Sequence, residues 1–157
     1  MPDTGTSKIH GYYDLKSKFS QFAMLCEEQL AEGNNLIIRF ESVRDITVDL
    51  AVFGQPLEVS FTMATDVKEA VSGKLHFTRI SYDENHQSIM TLYFNTYGYI
   101  RYSLDGPPTL YNICNIDSIQ MVIVHLLVTY VRKNQLSYLD NIEIDPAILE
   151  EAFPTEH

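Results

Sequence analysis

The side chains of this 157-residue sequence able to do more than pack are five histidines, two cysteines and a group of tyrosines and arginines. A zinc site needs three or four Cys or His ligands at close spacing. Here His10, His76, His86, His125 and His157 are scattered, and Cys26 and Cys114 each lack a second ligand within ten residues, so no metal centre is expected. Val71-Ser72-Gly73-Lys74 has the Gly-Lys of a phosphate-binding loop but neither the upstream glycine nor the following Ser or Thr. Gly-x-Ser-x-Gly and Gly-x-Gly-x-x-Gly do not occur, and no cofactor is expected.

Two constellations remain. Helical spacing places Ser118, His125, Thr129 and Arg132 along one stripe of the apolar run Ile119–Val131. A buried imidazole beside a hydroxyl is the raw material of a general base. With no nucleophile or oxyanion motif beside it, the stripe reads first as a hydrogen-bonded polar seam. The second constellation is Tyr93, Tyr97, Tyr99, Arg101 and Tyr102, with Arg39, Arg79 and Tyr82 across the sheet. Alternation puts Tyr93, Arg39 and Arg79 on one sheet face. Tyr and Arg are favoured at protein interfaces because they combine contact area with a polar handle. The competing reading is cross-strand pairing, at ~0.2–1 kcal/mol per pair.

The charge balance narrows the partner. Eleven Lys and Arg stand against 21 Asp and Glu, a net charge of −10, which argues against neutralising the phosphates of a nucleic acid. Asn134–His157 holds six of the acidic residues and no Lys or Arg. In it Ile144, Ile148, Leu149 and Phe153 form an apolar ridge rimmed by Glu150 and Glu151, suited to docking in a groove of its own domain or of a partner.

The elements that must carry these residues follow from periodicity. Residues 1–11 read as a loose polar lead-in. From Asp14 to Glu32, Leu15, Phe19, Phe22, Cys26 and Leu30 recur at steps of four and three, one stripe of an amphipathic helix that Gly33 and Asn34 terminate. Met24 falls on its polar side. The period then drops to two in Leu36–Glu41, Ile46–Phe53 and Leu57–Ala64, with Ser42–Asp45 and Gly54–Pro56 as hairpin loops. Asp66–Ser72 has room for one helical turn. In the strand Lys74–Tyr82, Leu75 and Phe77 alternate out of step with Ile80 and Tyr82, so a bulge resets the register there or both faces are covered. Ile89–Asn95 is a fifth strand, kinked near Gly98 before Tyr99–Leu104, and Asp105-Gly106-Pro107-Pro108 ends the sheet.

A capping box of Asp117 and Gln120, with Ile116 stapled to Met121, starts a second helix over Ile119–Val131 that is apolar nearly all round. Asp145-Pro146 opens a short helix in the acidic tail. The whole reads as one α+β domain: a single antiparallel meander of five or six strands, with the amphipathic N-terminal helix and the buried C-terminal helix packed on one face. This layout is similar to that of type III secretion chaperones, roadblock-like modules and cystatin-like or steroid-isomerase-like cups. None of their sequence motifs is present, so the likeness carries architecture and not function.

Met1–His10 has no apolar run of the kind a signal peptide needs, and the 13 residues of Ile119–Val131 fall short of the ~20 of a membrane span. Two lone thiols fit a reducing cytoplasm. The sequence therefore points to a small acidic cytoplasmic module that binds another protein without catalysis, of inhibitor, immunity, adaptor or secretion-chaperone type, and neither nucleic acid nor membrane. A homodimer through a sheet edge or the tyrosine face is compatible with it. The alternative is a small-molecule cup or small enzyme with Ser118, His125 and Thr129 in its cavity. A deep pocket at His125 would mark the cup, and a solid core with a flat sheet the binder.

Overall fold

The computed structural model describes residues 4–31, 37–81 and 86–134. Their order is α1 (Thr4–Ala31), β1 (Ile38–Arg44), β2 (Thr47–Val52), β3 (Gln55–Thr65), β4 (Val71–Arg79), β5 (Gln87–Phe94), β6 (Ile100–Arg101) and α2 (Ile116–Asn134). The six strands form one sheet in sequential order, every neighbouring pair antiparallel. Both helices lie on the same face, α1 across β1, β3 and β4 and α2 against β5. This is the α+β meander that the periodicity predicts. The expected short helix at Asp145 lies outside the described residues.

α1 buries the predicted stripe Leu15, Phe19, Phe22, Cys26 and Leu30, and Met24 on its far side is 69% exposed. It begins at Thr4, ten residues before the expected start, so most of the anticipated loose lead is helical. Gly11, four residues before Leu15, continues the buried stripe. A Cβ there would stand 2.5 Å from Val71 Cγ2, so glycine lets the helix approach β4 closely.

Phe61 occupies the middle of the core. It stacks on Phe19 at 5.4 Å between ring centroids and meets Phe94 at 5.9 Å and Tyr12 at 5.8 Å. Beneath Phe94 the sheet carries Gly73, and a Cβ at that position would overlap the Phe94 ring.

The turns depart from the expected loops because local hydrogen bonds and backbone twist decide them. β1 and β2 join through Asp45-Ile46 alone, and β2 and β3 through Phe53-Gly54. Both residues of the latter have positive φ, 51° and 76°, the geometry whose twist matches a two-residue hairpin. Phe53 accepts that backbone while its ring packs 5.7 Å from Tyr130. Residues 66–70 form no helical turn: Asp66 Oδ1 accepts hydrogen bonds from the Lys68 and Ala70 amides, which closes the loop locally.

The expected register reset falls between β4 and β5. Phe77 faces Met90 while Thr78 faces Ser88, so the extra residue is Ile89 on β5. Both Ile89 and Met90 are buried, as a bulge that turns two successive side chains inward allows. A second irregularity leaves Glu41 unpaired on β1.

α2 is capped two residues earlier than the sequence suggests. Asn115 Oδ1 accepts from the Asp117 amide and the Asn115 carbonyl from Ile119, while Asp117 lies in the first turn, where its charge suits the helix dipole. Ile116 is 37% exposed instead of forming a staple, and Gln120 reaches Gln29 of α1 at 3.4 Å. Ile119, Val122, Leu126 and Tyr130 face the core, whereas Ile123, Val124, Leu127 and Val131 are half-buried.

The Gly73–Phe94 contact yields a prediction. Gly73→Ala overpacks a core that has no room, and should lower the free energy of unfolding in urea by about 1–3 kcal/mol. Phe94→Leu in the same chain should recover part of that loss, a coupling that a double-mutant cycle measures.

Candidate functional site

The strand registers fix where each candidate residue lies. Thr62 on β3, Lys74 on β4, Tyr93 on β5 and Arg101 on β6 stand directly opposite one another in turn, forming one row on the sheet face away from the helices. Tyr93 is therefore flanked by two cations. Tyr99 shares the alternation of Arg101 and is 42% exposed. It bridges Asn112 on an extended segment along the β6 edge. That segment also holds Leu110, which is 95% exposed. The Thr109 amide donates to the Ile100 carbonyl and thereby places Leu110 alongside β6.

Asparagines hold this end in shape. Asn95 Oδ1 accepts from the Tyr97 and Tyr99 amides at 3.0 Å, and Gly98 takes φ 93° to close the turn. Tyr97 at its tip is 75% exposed. Asn112 Nδ2 donates to the Tyr97 carbonyl, its Oδ1 accepts from Cys114, and its amide donates to Ser118 Oγ. Turn, edge segment and start of α2 are thus tied together through one residue, Asn112.

The electrostatics of the row are unusual for a chain of net charge −10. Among the described residues neither Lys74 nor Arg101 enters an ion pair. The outward positions of β4–β6 carry no carboxylate: Ser72, Lys74, His76, Thr78, Ser88, Thr91, Tyr93 and Arg101. Arg101 Nε is buried with no acceptor among the described residues. At the opposite end of the same face the charges are matched. Arg44 pairs with Asp49 at 2.9 Å and Glu58 at 3.3 Å, and Arg39 with Glu41 at 3.4 Å. His76 bonds Ser88 Oγ at 2.8 Å. Partial burial lowers its pKa, and the neighbouring Lys74 charge lowers it further.

The predicted tyrosine and arginine set is thus divided. Tyr93, Tyr97, Tyr99 and Arg101 gather at one end. Arg39 sits on the outer face as expected, but at the far edge strand, where it lines an open depression of about 320 Å³ with Glu41, Asp49, Pro56 and Ile80. Arg79 is corrected to the helix side. Because the bulge lies on β5, β4 keeps its alternation, and Arg79 stands opposite Leu57 in phase with Phe77. Tyr102 is also corrected to that side, where its ring stacks on His125 at 5.4 Å and 14°. Tyr82 lies outside the described residues.

Sequence reasoning missed Lys74 and Leu110. The alternation Lys74-Leu75-His76-Phe77 already carried the signal for Lys74. An apolar residue within a loop, such as Leu110, carries none.

The Ser118, His125 and Thr129 stripe is occupied by the backbone. Ser118 Oγ accepts the Asn112 amide, and Thr129 Oγ1 donates to the His125 carbonyl at 2.8 Å. The space beside His125, Tyr102 and Tyr111 is about 10 Å³, roughly enough for one water. Both cysteines are free. Burial pushes the Cys26 thiol up to about 12 and raises that of Cys114, whose Sγ lies 3.8 Å from the Lys18 carbonyl. Neither is a poised nucleophile. Among the described residues no three His, Cys, Asp or Glu side chains converge as metal ligands. No described helix is long and apolar enough to cross a membrane. Comparison with family models, curated proteins and solved structures finds no match to this chain.

Two titrations follow. Lys74→Gln should raise the His76 pKa part of the way toward its ordinary value in an NMR titration, burial accounting for what remains. The fold prefers the neutral Cys26 thiol, so the stability tied to it is complete below the unfolded thiol value of 9.0 and is lost as pH climbs toward about 12. Urea titrations above pH ~9 should show this decline, and Cys26→Ala should flatten it.

Proposed function

We propose that the chain is a small, non-catalytic protein-binding module that grips an acidic segment of its partner on the outer face of β4–β6. The observation that carries this reading is the Lys74–Tyr93–Arg101 row: two cations with no ion pair among the described residues flank an aromatic ring, on outward positions of β4–β6 that hold no carboxylate, in an acidic protein. A carboxylate-bearing partner supplies the missing charge. Tyr97, Tyr99 and Leu110 supply apolar contact beside it. Arg with exposed aromatics is the composition from which interface hot spots are built. Charge of this kind also steers encounter and excludes basic competitors.

The edges of the sheet support a face over an edge as the contact. On β1 a bulge at Glu41 interrupts the ladder, and Arg39, Glu41 and Arg44 line the strand, devices that blunt strand addition. At the other edge the segment through Asn112 covers β6, and its own amides at Tyr111 and Asn112 are taken by Thr109 Oγ1 and Ser118 Oγ. A second copy of the chain would accordingly meet the first through the outer face. Two free thiols, one deeply buried, favour a reducing, cytoplasmic setting. The His125 surroundings, with space for about one water, give a ligand cup or an active site no support.

Charge reversal tests the proposal. Lys74→Glu with Arg101→Glu should weaken capture of the partner at least ~10-fold, equivalent to ~1.4 kcal/mol, with little change in melting temperature. Arg39→Glu at the opposite edge should leave capture intact. Equal binding by the two variants would refute the assignment.

A further inference from the structure

The outer face of the sheet differs in charge from the chain as a whole. Its strand positions hold four cations, Arg39, Arg44, Lys74 and Arg101, against three carboxylates, Glu41, Asp49 and Glu58, in a chain of net charge −10. Two acidic copies can therefore meet there without opposing surfaces of strong like charge. The charges are also sorted. Lys74 and Arg101 share the row of Tyr93 on β4–β6, whereas Asp49 and Glu58 share a row four residues along the strands, on β2 and β3. Glu41 lies beside them on β1. From Tyr93 to Asp49 is three strands across and four residues along, ~14 Å in each direction. Unpaired cations and carboxylates thus occupy diagonally opposite corners of one face.

We propose that the acidic group received by the Lys74–Tyr93–Arg101 row is the Glu41–Asp49–Glu58 corner of a second copy of this chain, in a face-to-face dimer. The inference rests on the reading that this row takes carboxylates, and it names their source. A two-fold axis in the plane of contact, along the diagonal that separates the two charged corners, exchanges them. Because the displacement is equal across and along the strands, that axis lies at ~45° to them. The strands of the two sheets then cross near ~90°, one of the two ways in which sheets stack. Each row lies along β2 of the other copy, which sets Tyr93 over Asp49 and Lys74 between Asp49 and Glu58. Arg101 arrives at the open depression of about 320 Å³, beside Glu41. The short side chains at the centre, Ser60, Thr62, Thr78 and Thr91, let the sheets approach. Six strands by about six residues present ~500 Å² on each copy, or ~1,000 Å² in all. That is the low end for a specific interface, so the dimer is weak, reversible and sensitive to salt.

Sedimentation velocity of the full chain from ~1 to ~200 µM should show a monomer–dimer equilibrium. Its affinity should fall at least ~5-fold between ~20 and ~500 mM NaCl. Location is read on the unaltered chain by carbodiimide coupling in a mixed ¹⁴N/¹⁵N sample, where Lys74 should form an amide with Asp49 or Glu58 of the other copy. Coupling of Lys74 within one chain only would overturn the proposed face. Lys74→Glu with Arg101→Glu, and separately Glu41→Lys with Glu58→Lys, should each be monomeric. An equimolar mixture of the two variants should recover the dimer, since each corner then meets its opposite, and recovery shows that both are folded. A mixture of cooperatively melting variants that stays monomeric would refute the pairing; should either variant not melt cooperatively, the couplings on the unaltered chain decide. An unaltered chain that is monomeric throughout would overturn the dimer. In that case loss of partner capture by Lys74→Glu with Arg101→Glu leaves the row a carboxylate site for a different protein, whereas unchanged capture removes that reading as well.

Discussion

The contact on which the rest depends is the ring stack through Phe61. Phe61 from β3 lies 5.4 Å from Phe19 of α1 and 5.9 Å from Phe94 of β5, so three segments distant in sequence share one apolar column. Aromatic rings bury large areas and prefer offset or tilted contact, so such a column sets both spacing and angle. Two glycines make it possible. Gly73 leaves the sheet surface bare beneath Phe94, and Gly11 lets α1 settle onto Val71. Given that column, α1 crosses the middle strands, and the surface over β5 is left for α2.

Much of this was legible in the sequence, because both periods are strong. The steps of four and three from Leu15 to Leu30, and the alternation in β2 and β3, each answer to one buried face. What was not legible depended on partners distant in sequence. Gly11 has no side chain to mark it as a stripe position, so the first turns of α1 passed for a loose lead. The bulge was visible as a conflict between Leu75 and Ile80, but periodicity alone cannot say which strand carries the extra residue. That residue is Ile89, and its placement is what turns Arg79 inward. Asn115 was overlooked as a cap because Asp117, an equally good capping type, stands two positions on.

The site divides in the same way. Residue types singled out the tyrosine and arginine cluster, and register decided which of its members meet. Tyr102 went to the helix side because Ile100 must be buried, which fixes Arg101 outward and the next residue inward. Lys74 entered because antiparallel pairing sets it against Tyr93, a residue nineteen places along the chain whose shared role shows only when the strands are aligned. The stripe of Ser118, His125 and Thr129 was correct as a stripe, but its hydroxyls serve the backbone at a helix start and along the helix itself. A polar seam and a catalytic seam look alike in sequence. Only the acceptor of each hydroxyl separates them.

Charge placement links these observations. A chain with nearly twice as many acidic as basic residues gains most by pairing each cation, and Arg44 does so twice, with Asp49 and Glu58. Exposed pairs of this kind contribute little to stability, so leaving Lys74 without one costs the fold little, whereas the buried Arg101 Nε lacks an acceptor among the described residues. Their charge is then felt outward, undiminished by neighbours, within a Debye length of ~8 Å at physiological salt. The aromatic ring between them and the rigid asparagine-tied turn beside them restrict how an incoming group can sit. Stability thus rests on the helix side of the sheet, in the Phe61 column. The opposite face is left free for the proposed recognition, because the described core contacts lie on the helix side.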